Sequence, residues 1–339
     1  MEKAVILAPE GQRTRPLYHL RRGWSALVRR QELIVVLLLL LVGTALSLGT
    51  QTFFTGTNLL NVAIYVSWFA IAAFGVSMVM IVGGIDLSVG STMALAGLVS
   101  ALALQEGMPL LLAIALGVLS GGAVGLINGA LVGRFRLPPF MVTLGTLSVA
   151  RGITIGLSSG APVRDLPASF RFIGQGNLGL GAWPLPLPVL WMLLLAVLVS
   201  LLLHQTVLGR YIYTVGSDER ALLVVGVSAA RLKILVYMLS GLLAALGGVV
   251  MTAKLGVAMP MAATGYELDI IAAAVIGGAS LFGGEGTVTG VVLGAALMQT
   301  VRNGLVLLGV PSHWQVVTIG AMILLVMLLD HWRRRRVWR

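Results

Sequence analysis

Runs of about 20 apolar residues recur along almost the whole chain, and a helix of that length is what the hydrocarbon core of a bilayer requires. We predict ten such spans, near residues 33–50, 59–81, 86–104, 109–133, 139–157, 188–206, 234–255, 266–282, 287–308 and 313–330. Of the 339 residues, 58% are hydrophobic and 10% are charged, whereas a soluble domain has about 25% charged residues. The sequence therefore predicts an all-α polytopic membrane protein.

Lysine and arginine are distributed unevenly between the two sides of these spans. With the N-terminus in the cytoplasm, the inner segments carry 18 of the 23 cations, as expected of cytoplasmic segments. We predict that both termini are cytoplasmic, with a basic segment at 1–32 that is not a cleavable signal peptide, a transmembrane domain at 33–330 and a basic tail at 331–339. The net charge of +11 then reflects topology and contact with anionic lipid, and not nucleic-acid binding.

Two loops between the predicted spans are long. The outer loop, about 158–188, is rich in glycine and proline and forms either a structured cap or a flexible connector. The inner loop, about 207–233, is the main cytoplasmic feature between the termini.

A short helix is predicted within the inner loop, because Ser217 is a suitable N-cap and Gly226 a suitable stop. Asp218 and Glu219 suit the positive end of its dipole. Its apolar residues are Leu222, Leu223 and Val225. Such an apolar side must be covered, either by the chain's own membrane domain or by a cytoplasmic partner that docks there.

An internal repeat is indicated by two residue pairs that share one offset of 175 positions. Asn128-Gly129 is followed fifteen positions later by Thr143-Leu144-Gly145, and Asn303-Gly304 is followed at the same distance by Thr318-Ile319-Gly320. The offset maps the fourth and fifth spans onto the ninth and tenth. Because these differ by five crossings, the two copies would be inverted relative to each other.

The chain lacks the residues that would energise transport. It has no cysteine, and none of its three lysines follows a glycine, which excludes a phosphate-binding loop of the Gly-x-x-x-x-Gly-Lys type. Its four histidines are scattered, with no spacing that suggests a metal site or a catalytic triad. We therefore expect a protein that is not an enzyme, holds no cofactor or metal, and depends on another chain if ATP is used.

Several motifs in order resemble the ribose-type sugar permeases of ATP-binding-cassette importers, over roughly residues 55 to 330. The motifs are Gly83-Gly84-Ile85-Asp86-Leu87-Ser88-Val89-Gly90-Ser91, Asn128-Gly129, Pro138-Pro139-Phe140-Met141-Val142-Thr143-Leu144-Gly145-Thr146, Ala150-Arg151-Gly152, Gly209-Arg210-Tyr211-Ile212-Tyr213, Gly216, Glu219, Gly226-Val227, Gly265-Tyr266-Glu267-Leu268-Asp269 and Gly277-Gly278-x-Ser280-Leu281.

The resemblance implies a permease subunit of the bacterial inner membrane that works as a homodimer or with a sister permease. A cytoplasmic ATPase would drive it, and a periplasmic or lipid-anchored binding protein would deliver a monosaccharide. The short inner helix would match the ATPase-contacting loop, whose candidate coupling residues are Gly216, Ser217, Asp218, Glu219, Arg220, Leu222, Leu223 and Gly226. One departure is Val225, because family members usually carry a small polar residue before this glycine.

The break at residues 82–91 carries the carboxylate of Asp86 between two apolar runs. Asp86 either caps the third span or faces the conduit, where it would offer a hydrogen-bonding group to a sugar. The candidate translocation-pathway residues are Asp86, Ser88, Ser91, Asn128, Thr143 and Asn303.

Other charged and aromatic residues have simpler interpretations. Glu267 follows Thr264 as in a capping box, and Glu267 and Asp269 are candidates for docking the delivery protein on the outer face. Arg151 and Arg302 are expected to extend to lipid headgroups. The aromatic residues of the second span either stack on sugar or belong to a core- or lipid-facing stripe; they are Tyr65, Trp68, Phe69 and Phe74.

Three alternatives to a sugar importer stay open at this point. An ion-coupled secondary transporter would use intramembrane carboxylates, of which Asp86 is the clear candidate in the first half. A passive channel would act without ATP. A related importer permease would carry nucleosides or branched-chain amino acids.

Overall fold

The computed structural model describes residues 16–180 and 183–337, and within them it contains thirteen helices and one β-hairpin. The helices are α1 (Pro16–Gly49), α2 (Gly56–Ile81), α3 (Val89–Gln105), α4 (Leu110–Gly133), α5 (Pro139–Ser158), α6 (Ala168–Gln175), α7 (Leu187–Gln205), α8 (Val207–Ser217), α9 (Glu219–Val224), α10 (Ala229–Leu255), α11 (Tyr266–Ile276), α12 (Val288–Leu307) and α13 (Ser312–Val337). The hairpin pairs β1 (Asn177–Leu180) antiparallel with β2 (Trp183–Pro186).

Each predicted span coincides with a helix, which confirms the all-α polytopic class. Seven described helices are long and apolar enough to cross a membrane. Two others are short, since α3 has 17 residues and α11 only 11. The count of ten spans is therefore approximate. Of the predicted basic segments 1–32 and 331–339, residues 1–15 and 338–339 lie outside the described residues. Residues 16–32 belong to α1, and residues 331–337 continue α13.

The helix α2 forms the centre of the bundle, because 94% of its most apolar 18-residue window is buried, against 6% for α1. Trp68, Phe69 and Phe74 of α2 are at most 1% exposed and pack within the largest apolar cluster. The aromatic stripe is therefore a core feature, except for Tyr65, which is 41% exposed.

The helices α3 and α11 both begin in the middle of the bundle. The segment before α3 contacts Ser240, the twelfth of the 27 residues of α10. A Cβ atom added to Gly90, near the start of α3, would lie 2.5 Å from the carbonyl oxygen of Ala263 and from Oε2 of Glu267, at the start of α11. The two N-termini therefore meet.

From this meeting point α3 and α11 run to opposite ends of the bundle. The last residue of α3, Gln105, donates to the carbonyl oxygen of Arg164, just before α6. The end of α11 packs at Gly277 against Gly290, at the start of α12. We call the end that contains α6 and the β-hairpin the hairpin face. We call the end that contains α9, the α4–α5 turn and the start of α10 the α9 face.

The helix contacts agree with the predicted inverted repeat. In one half, α3 packs on α4 and α5, and in the other, α11 packs on α12 and α13. Likewise α4 packs on α10, whereas α12 packs on α2, and α2 and α10 pack on each other. The groups α2–α5 and α10–α13 therefore correspond, with α3 and α11 running in opposite directions.

The outer loop at 158–188 is a structured cap and not a flexible connector. It contains α6 and the β-hairpin, and Phe170 of α6 is fully buried. Backbone hydrogen bonds of 2.9 Å in both directions join Val163 to Ala258.

The helices α4 and α10 pack closely through glycines that are spaced four residues apart on α4. These are Gly121, Gly125, Gly129 and Gly133. A Cβ atom at Gly129 would lie 2.6 Å from Cα of Ile234, and one at Gly133 would lie 2.6 Å from the carbonyl oxygen of Ala230. Small residues at such spacing let two membrane helices approach by their backbones.

We predict that Gly129→Ala lowers the stability of the protein in detergent by about 1–3 kcal/mol, because the added methyl group meets backbone that cannot turn aside. The matched control is Gly152→Ala in α5, where a Cβ atom meets nothing within 4 Å. Removing a helix-interior glycine there should be neutral or favourable by up to about 1 kcal/mol. Thermal unfolding of both purified variants measures the difference, and equal midpoints would contradict the packing described here.

Candidate functional site

A buried polar cluster surrounds Asp86 in the segment between α2 and α3. Oδ1 of Asp86 accepts from the amide of Ser88 at 3.0 Å and from its hydroxyl at 2.6 Å. Oδ2 accepts from the hydroxyl of Ser240 on α10 at 3.0 Å. Asp86 is 2% exposed and the two serines at most 1%. The carboxylate is therefore held by neutral donors.

Two more helices contribute to this cluster. Asn128 of α4 donates from Nδ2 to the hydroxyl of Ser88 at 2.9 Å, and Thr143 of α5 donates to the carbonyl oxygen of Ile85 at 3.2 Å. Ser91 donates to the carbonyl oxygen of Ser88 at 2.8 Å. All three donors are fully buried. Oδ1 of Asn128 has no hydrogen-bond partner among the described residues.

The local sequence explains why the chain breaks here. Gly83 has a φ of +78°, which a residue with a side chain rarely adopts, and Gly84 packs against the hydroxyl of Tyr237. The helix α3 begins at Val89, three residues later than the predicted span. Asp86 accepts from the Ser88 amide before the helix starts, so it braces the entry segment and does not cap the helix.

The structure brings together five of the six candidate pathway residues but not Asn303. The side chains of Asn303 and Asn58 exchange two hydrogen bonds of 2.9 and 3.0 Å, between α12 and the start of α2 near the hairpin face. In the repeat, Asn303 of α12 corresponds to Asn128 of α4, but Asn303 contacts the start of α2 whereas Asn128 contacts the segment before α3. Asn303 therefore does not belong to the Asp86 cluster, and its place on the translocation pathway stays a prediction.

Sequence reasoning missed Ser240, the residue that joins Asp86 to α10. The available signal was a hydroxyl in the middle of an apolar helix, which is a common feature of membrane helix contacts. What the sequence could not give was its distance to Asp86, 154 positions away.

Arg302 and Arg151 point into the protein and not to headgroups. Arg302 forms an ion pair with Asp269, and its guanidinium carbon lies 4.9 Å from the ring centroid of Tyr266. Arg151 donates to the carbonyl oxygens of Pro260 and Ala262 at 2.8 Å. Such partners stabilise a charge within an apolar bundle. The prediction that these two arginines extend to lipid headgroups is therefore wrong.

Glu267 and Asp269 lie at the start of α11 in the middle of the bundle. Asp269 is 6% exposed and paired with Arg302, so it is not an exposed docking residue. Oε1 of Glu267 accepts from the amide of Gly265 at 3.2 Å, whereas Oε2 is buried without a partner among the described residues. Thr264 donates to the carbonyl oxygen of Met261, so the predicted capping box does not form.

The predicted inner helix is present as α9, with a different cap. The helix α8 continues to Ser217, and Oδ1 of Asp218 accepts from the amide of Arg220 at 2.9 Å, so Asp218 begins α9. Gly226 ends it with a φ of +71°, as predicted. Glu219 pairs with Lys233 of α10 at 2.7 Å.

The apolar side of α9 is divided between the core and the surface. Leu222 is 1% exposed and packs inside the protein, whereas Val224 is 89% and Val225 62% exposed. The side chain of Leu223 lies outside the described residues. Beside α9, Tyr213 of α8 donates to the carbonyl oxygen of Gly286 at 2.7 Å, and burial raises the pKa of Tyr213 to about 12, so that it stays a donor.

Residues 58–327 match the family described as branched-chain amino acid transport system / permease component. The chain belongs to this permease family. The ribose import permease of Bacillus subtilis (strain 168) is 40% identical to this permease over 286 residues, which are 84% of this chain and 88% of that protein. The ribose import permease of Escherichia coli (strain K12) is 39% identical over 315 residues, or 91% and 95% of the two chains.

Permeases named for other sugars are also similar. The L-arabinose ABC transporter permease of Azospirillum brasilense is 34% identical to this permease over 93% of this chain and 91% of that protein. The D-allose transport permease of Escherichia coli (strain K12) is 38% identical over 84% and 86%. No solved structure is significantly similar to this permease. The resemblance to ribose-type permeases is confirmed.

We predict that Asp86→Ala destabilises the permease, because it leaves the two Ser88 donors and the Ser240 hydroxyl unpaired, at about 1–3 kcal/mol for each group. Asp86→Asn should fold normally, since its oxygen can accept from Ser88 and its amide can donate to Ser240. Comparing the thermal midpoints of both purified variants tests this. The same loss in both would mean that charge, and not hydrogen bonding, holds the cluster.

A second prediction concerns the pair of Arg302 and Asp269. Arg302→Met should cost about 3–5 kcal/mol because it leaves the buried carboxylate of Asp269 unpaired. Asp269→Leu should cost less, because the Arg302 side chain is 30% exposed. The double variant should lose much less than the sum of the two. Stabilities of the four proteins in one double-mutant cycle measure the coupling. Additive losses would show that the pair contributes nothing as a pair.

Proposed function

We propose that this permease is the membrane-spanning subunit of an ATP-binding-cassette importer that carries a monosaccharide. The observation that carries the proposal is the identity of 34–40% with ribose, allose and arabinose permeases, which extends over 84–93% of the chain. The family description names branched-chain amino acids, but these relatives are named for sugars. A monosaccharide is therefore the cargo that the similarity favours.

The energy for import would come from a separate cytoplasmic ATPase. The sequence lacks a phosphate-binding loop, and the arabinose relative is named as an ABC transporter permease. A periplasmic or lipid-anchored binding protein would deliver the sugar. A second permease copy, identical or a sister chain, would complete the conduit. The protein would lie in a bacterial inner membrane with the α9 face and both termini in the cytoplasm. Cytoplasmic segments are rich in arginine, and the α9 face carries Arg134, Arg136, Arg210, Arg220 and Arg231.

The Asp86 cluster would form the closed midpoint of the conduit. Its carboxylate, hydroxyl and amide groups are the types that bind sugar hydroxyls, and they are completely buried in this conformation. A shift of α3 away from α4 and α10 would expose Asp86, Ser88, Ser91, Asn128 and Thr143. Such a shift would also change the contact between the start of α3 and the start of α11, where Glu267 lies beside Gly90.

The helix α9 would bind the ATPase through Val224 and Val225. These side chains are exposed at 89% and 62%, beyond the bilayer if the α9 face is cytoplasmic. Leu222 would act only by anchoring α9 to the bundle. The coupling segment would therefore run from Gly216 to Gly226, with its contact surface at the C-terminal end of α9.

We predict that Val224→Asp with Val225→Asp abolishes co-purification of the cognate ATPase and ATP-driven uptake, because charges replace the apolar contact. The matched control is Phe172→Asp, a residue that is 58% exposed on α6 at the opposite face.

Proteoliposomes with ATPase, binding protein and internal ATP should concentrate one sugar from a panel of D-ribose, D-allose, L-arabinose and D-fructose, with L-leucine as the amino-acid comparison.

Two results would contradict this function. Concentration of a solute by the permease alone on a sodium or proton gradient would identify a secondary transporter. Uphill uptake of leucine and of no sugar would change the cargo class. Retained ATPase binding in the double aspartate variant would refute only the role of α9.

A further inference from the structure

A cleft with a volume of about 980 Å³ opens on the α9 face between two turns of the chain. One wall is the α4–α5 turn, residues 136–139, and the other is formed by α9, the α9–α10 turn and the start of α10. Gly83, in the break between α2 and α3, also lines it. The cleft therefore connects the surface beside α9 to the segment that precedes Asp86.

The cleft is electropositive. Of its charged lining residues, Arg136, Arg220 and Lys233 are cations and Glu219 is the single anion. Lys233 and Glu219 neutralise each other in their ion pair at 2.7 Å. Among the side chains that the structure describes, neither Arg136 nor Arg220 has a carboxylate within 4.0 Å. Two exposed guanidinium groups on opposite walls are thus available to an anionic occupant.

We propose that an acidic segment of the ATPase inserts into this cleft and binds Arg136 and Arg220. The proposal rests on the proposed function, because the occupant is the ATPase that α9 would bind. Continuity supports it, since α9 supplies both the exposed valines and one wall of the cleft. Both terminal segments of this chain are net basic, because residues 331–339 carry five arginines and no acidic residue, and residues 1–32 carry seven cations against three glutamates.

The position of Gly83 gives this contact a consequence for transport. A Cβ atom added to Gly83 meets nothing within 4 Å, so there is open space beside the break. An inserted segment reaches the α2–α3 break three residues from Asp86. Movement of the ATPase would then act on the entry segment of α3 as well as on α9.

The test compares charge reversals inside and beside the cleft. Arg136→Glu and Arg220→Glu should each weaken ATPase binding at least tenfold in 50 mM salt. The matched controls, Arg134→Glu in the same turn and Arg231→Glu on α10, carry the same charge change on exposed residues that do not line the cleft. They should stay within twofold of the original protein. High salt should reduce the difference, because exposed charges are screened.

Binding is measured with the full-length permease in nanodiscs of neutral phosphatidylcholine, after thermal unfolding confirms that each variant is folded. Equal effects of all four reversals, or none, would overturn the proposal. An effect confined to nanodiscs that contain phosphatidylglycerol would also overturn it, since the occupant would then be a lipid headgroup. If the original permease binds no ATPase at all, the proposed function is wrong. If the Arg136 and Arg220 variants bind normally and only the Val224/Val225 double variant loses binding, the role of the cleft alone is refuted.

A second measurement identifies the occupant directly. Because the chain has no cysteine, Leu137→Cys, beside Arg136 in the cleft wall, provides a single thiol for a photo-crosslinking reagent and leaves both arginines in place. Mass spectrometry of the complex should find an aspartate- or glutamate-rich ATPase peptide attached at this position. Cross-linking only to a neutral or basic peptide, or to no ATPase peptide, would contradict the proposal.

Discussion

The structure depends on one constraint, which is that the backbone polar groups inside an apolar bundle must find their partners within the protein. The segment before α3 and the start of α11 bring backbone amides and carboxylates to the middle of the bundle, where Gly90 meets Glu267. Helix N-termini stabilise negative charge, so these carboxylates lie where the backbone favours them. Asp86 is further held by Ser88 and Ser240, and Asp269 by Arg302.

Close packing makes this arrangement possible. The glycine series of α4 brings its backbone against α10. This contact places Asn128 beside Ser88 and Ser240 beside Asp86 in one cluster. The second half of the repeat uses Gly277, Gly290 and Gly294 to pack α11 on α12 in the same way. The central site is therefore built by two similar helix groups, and each contributes one short helix to it.

The α9 face relates the central site to the surface. Gly284 donates from its amide to the carbonyl oxygen of Ile81 at 2.8 Å, and Gly216 packs against the same carbonyl group, so the end of α2 is held by α8 and by the α11–α12 loop. A partner that moved α9 would act on elements that already contact the break after α2. The polar cluster and the proposed ATPase surface are thus joined by a few turns of chain and not by a long pathway.

Much of the fold could be predicted from the sequence. The helix spans follow from the length of the apolar runs, and the uneven distribution of lysine and arginine follows from their positions between those runs. Local chemistry also predicted the stop of α9 at Gly226 and the break at Gly83 and Gly84. The site was predicted less completely. Asp86, Ser88 and Asn128 do converge, but Asn303 lies elsewhere, and the arginines expected at headgroups bind Asp269 and backbone carbonyl groups instead.

The sequence by itself determined the membrane class, the order of the helices and the absence of a phosphate-binding loop, since these are properties of segments and residue types. Only the tertiary structure decided that α3 and α11 start at mid-depth, that Ser240 reaches Asp86, and that Leu222 faces the core while Val224 faces outward. These facts depend on which helices are neighbours. Contacts between residues more than 150 positions apart are set by packing of the whole bundle, and no local pattern encodes them.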